Sequence, residues 1–72
     1  MELLEMILEK SGAQYISDLS GMIQEKEVLS VLKEINIHTY ELVEWQEAIL
    51  YLTGGKTKIT TEKDLQGLID KL

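Results

Sequence analysis

Thr39-Tyr40-Glu41-Leu42-Val43-Glu44-Trp45-Gln46-Glu47-Ala48-Ile49-Leu50-Tyr51-Leu52-Thr53-Gly54-Gly55 is the stretch on which the fold turns. Read as one amphipathic helix closed by its glycine pair, it makes the chain all-α. Read as a strand from Ala48 to Leu52 meeting Lys56–Thr60 across Gly54-Gly55, it makes a hairpin. The pattern from Leu42 to Leu52 favours the helix, with Thr39 as its N-cap and Thr53 before the glycine stop. At about 100° per residue, Leu42, Val43, Trp45, Ile49, Leu50 and Leu52 cover roughly half the circumference, together with Gln46. Tyr40, Glu41, Glu44, Glu47, Ala48 and Tyr51 fall on the other half. So wide an apolar arc suits a helix lying across a core, with Trp45 as its anchor.

The flanking segments supply the other helices. Leu3, Leu4, Ile7 and Leu8 keep helical spacing against Glu2, Glu5 and Glu9, and Ser11-Gly12 closes that helix over residues 2–11. Val28, Val31, Leu32 and Ile35 follow the i, i+3, i+4, i+7 rule over 25–35. Leu19, Met22 and Ile23 form an earlier set on a different face, because nine residues from Leu19 to Val28 turn a helix through about 900°. A break near Gln24-Glu25 is therefore expected. Before it lies a short helix capped by Ser17 or Asp18, with Gln14-Tyr15-Ile16 extended. Thr61 and Asp64 form a capping-box-like pair ahead of the Leu65, Leu68, Ile69 and Leu72 seam, giving a last helix over 61–72. The expected fold is thus mainly α: a small four-helix single domain over residues 1–72, with a short extended segment at 14–16 or 56–60.

Composition excludes whole classes of chemistry. The 72 residues contain no Cys, Pro, Phe or Arg and carry a net charge of −6. Disulfides, thiolate zinc sites and cysteine nucleophiles are ruled out. A chain this short buries only about 60% of its unfolded surface, so its core must hold by apolar packing or by self-association. The acids of Met1-Glu2-Leu3-Leu4-Glu5 stand where a secretory leader needs bases, so a cytoplasmic location is expected. No apolar run reaches the 18 or so residues of a membrane span.

Catalytic and metal motifs fail individually. Gly54-Gly55-Lys56-Thr57 ends like a phosphate-binding loop, but Leu50 stands where that motif requires glycine. His38 is the only histidine; it lies three residues before Glu41, and a carboxylate-bridged metal pair needs two histidines with inward-facing acids. Four serines have only His38 as a base, in no recognisable arrangement. Neither an enzyme, a cofactor nor a resident metal is expected.

Charge is unevenly spread. Residues 1–35 sum to −4, residues 36–55 to −3 without any base, and residues 56–72 to +1. Glu41, Glu44 and Glu47 have no lysine on their own helix, and Tyr40 and Tyr51 flank them. These five residues are the candidate contact face for a protein partner with a basic surface. The simpler alternative is a solvated face, or acids paired with Lys56 or Lys58. Two other readings stand beside this one. Apolar surface left over in so small a chain would support a homodimer. The order of elements up to Ile35 also resembles a helix-turn-helix or winged-helix reader. Its would-be recognition helix, however, sets Glu25, Glu27 and Glu34 against Lys26 and Lys33, which disfavours nucleic acid.

Overall fold

The Gly54-Gly55 pair ends a helix and does not turn a hairpin. A computed structural model describes residues 2–72. Its helices are α1 (Glu2–Ser11), α2 (Lys26–Glu34), α3 (Leu42–Leu52) and α4 (Glu62–Lys71), with 3-10 turns at Ile16–Leu19 and Ile37–Thr39. No strand occurs among the described residues; neither 14–16 nor 56–60 is one. Met1 and the part of the leader reading that includes it lie outside the described residues. The Cα radius of gyration is 10.8 Å, close to the roughly 11 Å of a compact chain this long.

The end of α3 shows why the helix prevails over the hairpin. The Gly55 amide donates to the Leu50 carbonyl at 2.7 Å and the Gly54 amide to Tyr51 at 3.1 Å. This is the Schellman arrangement, in which the residues past the cap satisfy carbonyls the helix leaves open. It requires a left-handed residue after the cap, and Gly54 has φ 65°. Thr53 continues the closure: its hydroxyl donates to the Ile49 carbonyl at 2.8 Å and accepts from the Thr57 amide at 3.1 Å. The resemblance of Gly54-Gly55-Lys56-Thr57 to a phosphate loop thus has a helix terminus as its cause. Gly54→Ala should destabilise the fold by about 1–2 kcal/mol through its left-handed backbone, lowering the melting temperature about 4–8 °C per kcal/mol. Gly67 lies inside α4 with open space around it, so Gly67→Ala should stabilise by about 0.5–1 kcal/mol. Thermal melts of the two variants with the same sign of shift would contradict this assignment.

The segment before α2 departs from expectation. In place of a short helix through Ile23 there is one 3-10 turn, and Ile16 belongs to it instead of extending before it. The Tyr15 amide donates to the Asp18 carboxylate at 3.2 Å, which tightens that turn. Beyond it the backbone attaches to α3: Gly21 and Ile23 amides donate to the Tyr51 and Leu52 carbonyls at 3.3 and 3.1 Å. These bonds need an irregular chain, so Ile23 is buried while Met22 stays exposed. The expected break near Gln24-Glu25 is present, with Glu25 as the N-cap of α2 in extended backbone.

The start of α3 also differs. Thr39 is not its N-cap; it closes a 3-10 turn, and Glu41 caps a helix beginning at Leu42. Besides its own backbone bond from the Thr39 amide to the Asn36 carbonyl at 3.0 Å, two side-chain bonds hold that turn. The Asn36 side chain accepts from the His38 amide at 2.9 Å. The Trp45 indole N–H donates to the Ile37 carbonyl at 2.9 Å. At α4, Thr61 accepts from the Asp64 amide at 3.1 Å, as the capping pair predicts. The reciprocal half goes one residue further back, to the Thr60 amide at 3.2 Å and its hydroxyl at 2.7 Å. The Thr60 hydroxyl, then its amide, holds the Asp64 carboxyl below its ordinary value.

One hydrophobic cluster receives residues from every helix: Leu3 and Ile7, Leu19, Val28 and Leu32, Trp45 and Ile49, and Leu65 and Ile69. Leu8, Ile35, Leu68 and Leu72, read as seam residues, pack half-buried at its edge. Ile59 enters from the irregular connector and caps the cluster beside α3, where the Gln46 side chain donates to its carbonyl at 3.0 Å. Among the described residues no polar or charged residue is buried. The core therefore contains only apolar side chains.

Candidate functional site

The orientation of α3 determines what the acidic face can present. Its buried residues are Trp45, Ala48, Ile49 and Leu52, an i, i+3, i+4, i+7 stripe. Ala48, on the solvent side by helical spacing, is fully buried. Val43, on the core side by the same spacing, is 53% exposed, and Leu50 is half-buried. The core-facing direction is thus rotated by roughly 80° from the centre of the apolar arc. Two contacts fix the rotation. The Trp45 indole reaches back to Ile37, and the Tyr51 and Leu52 carbonyls receive the connector before α2.

The five candidate residues separate into three situations. Glu41 and Glu47 are exposed, one at the cap and one on the outward side of α3. Glu44 is half-buried, and its carboxylate accepts the Leu3 backbone N–H at 3.4 Å. It therefore serves the first turn of α1, where orphan amides and the positive helix end favour an anion. Tyr40 and Tyr51 pack partly against the core and retain part of their surface.

Glu47 shares a shallow depression of about 280 Å³ with Gln46, Leu50, Lys58, Ile59 and Thr60. Lys58 thus brings a base from another segment into the same depression as Glu47. Val43 and Leu50 were missed as surface residues. The signal for them was available in the spacing of Trp45, Ala48, Ile49 and Leu52, but alanine carries little weight in an apolar arc.

His38 stands apart from the candidate acids it precedes in sequence. Its Nδ1 lies 3.4 Å from the Glu62 carboxylate at the start of α4, with both side chains well exposed. Among the described residues no three His, Cys, Asp or Glu side chains form a group able to hold a metal ion. No helix among them is long and apolar enough to cross a membrane. Asp64, whose carboxyl the Thr60 hydroxyl holds below its ordinary value, sits exposed in the α4 cap, where that shift has a structural cause. No protein-family model matches the chain, and no curated protein or solved structure matches it.

Proposed function

We propose that the chain is a small non-catalytic interaction module that binds a basic surface of a protein partner through the solvent side of α3. The observation that carries this reading is the exposure of Glu41 and Glu47 on a lysine-free helix, in a chain of net charge −6. Tyr40 and Tyr51 add amphipathic contact area that is already anchored by the core, so little side-chain freedom is lost on binding. Exposed Val43, on the same side as Glu47, adds apolar area. Glu44 contributes charge to the face while holding the start of α1. Exposed acids of this kind act mostly on association rate and partner choice, and their effect falls with salt.

Capture from the native lysate with wild type and Glu41→Lys/Glu47→Lys in parallel tests this reading. A basic protein retained by wild type and lost by the variant is expected. Equal recovery of the same protein by both would remove the proposed face. Glu47 lies at an exposed position, where stability changes stay within about 0.5 kcal/mol, while Glu41→Lys sets a cation at the positive start of α3 at a cost of about 0.3–1 kcal/mol.

A further inference from the structure

The largest exposed apolar side chains of the described residues are Tyr15, Ile16, Met22 and Val43. Three of these four fall in the connector between α1 and α2. That connector lines a groove of about 270 Å³, with Ala13, Leu19, Met22 and Val28 as its apolar lining. Leu19 and Val28 form a buried floor, and Met22, 44% exposed, forms a wall. Asp18, Glu25 and Glu27 line the same groove. All three acids are exposed, and Glu25 caps α2 without committing its side chain to a cap hydrogen bond. No residue of α3 takes part, so the groove is separate from the face proposed above.

Size and charge together select the occupant. The volume is just below the roughly 300–1,000 Å³ of small-molecule pockets, which suits one anchor side chain. A second copy of this chain would oppose three acids with the same three acids in a twofold contact, and like charges face to face are unfavourable. An apolar side chain carried on a segment with flanking cations satisfies both floor and rim. We propose that the groove between the end of α1, the first 3-10 turn and the start of α2 takes an apolar anchor side chain from a partner segment flanked by lysine or arginine.

The test uses a short amphipathic Leu/Lys helical peptide as probe, with a Leu/Glu peptide of the same pattern as control, at physiological ionic strength. Amide chemical-shift changes in the full chain should centre on Ala13, Leu19, Met22 and Val28. Met22→Asp, at an exposed position, and Glu25→Lys/Glu27→Lys should each weaken the peptide by roughly tenfold or more, equal to about 1.4 kcal/mol. Circular dichroism verifies that each variant remains folded. Glu41→Lys/Glu47→Lys should leave the groove shifts in place with affinity within about threefold, since neither residue lines the groove and exposed charges are screened by salt. Four results would overturn the proposal. They are no binding of the Leu/Lys peptide, shifts centred on α3, equal binding of the Leu/Glu peptide, and the same shifts arising with protein concentration alone, which would make a second copy the occupant.

Discussion

Trp45→Ala is expected to remove a large part of the chain's folding stability and to lower its urea midpoint steeply. Trp45 has no accessible surface and anchors the core cluster from α3. Truncating a buried tryptophan costs about 3–5 kcal/mol. At roughly 0.05–0.15 kcal/mol per residue the whole fold is worth about 4–11 kcal/mol, so the loss takes from about a quarter to all of it. The substitution also removes the donor for the Ile37 carbonyl and releases the turn that sets the start of α3. Trp45→Phe separates these contributions. It keeps an aromatic ring in the site and should cost less, about 1–3 kcal/mol for the lost hydrogen bond and the unpaired carbonyl. Urea titrations followed by far-ultraviolet circular dichroism measure both, because Trp45 is the only tryptophan and its fluorescence is lost in either variant. A Trp45→Ala midpoint near that of wild type would show that the indole is not the anchor.

Ala48→Lys is the second large effect, and it divides the two readings of α3. On the helical wheel Ala48 shares a face with Glu44, Glu47 and Tyr51, and a lysine there would pair with its acidic neighbours. In the fold Ala48 has no exposed surface. Lysine must then place a charge in the core or displace the packing around it, at a penalty of several kcal/mol. Unfolding, or loss of most of the denaturation midpoint, is the expected result. Glu47→Lys, one position away and exposed, should stay within about 0.5 kcal/mol of wild type. Equal tolerance of both would return Ala48 to the solvent side.

The contrast between these neighbours explains what could be read in the residues and what could not. Helices α1, α2 and α4 follow from spacing because each has one apolar stripe and one polar side. Their limits match the expected ones to within a residue, and the Thr61–Asp64 cap and the glycine stop of α3 are local chemistry. Helix α3 differs because Val43 and Leu50 place apolar residues well outside its core stripe. Its rotation depends on partners distant in sequence: Ile37 beneath the indole and the Gly21–Ile23 backbone at its end. The late start of α3 has the same origin, since the Ile37–Thr39 turn is held by Trp45 as well as by Asn36.

The candidate face was legible as a composition of acids and tyrosines, but the division of labour within it was not. That Glu44 turns toward the first turn of α1 while Glu41 and Glu47 remain outside depends on where α1 lies. The groove beside Met22 was hidden for a related reason. Helical spacing groups Met22 with Leu19 and Ile23, and only the irregular connector, tied to the carbonyls of α3, moves Met22 outward.

The most direct measurement is the equilibrium affinity of the captured basic partner for wild type and for Glu41→Lys/Glu47→Lys, each at low and at physiological ionic strength. The account predicts a loss of roughly tenfold or more in the variant at low salt, about 1.4 kcal/mol, and a salt dependence flatter than that of wild type. The same affinity and the same salt dependence in both proteins, with both folded, would contradict it.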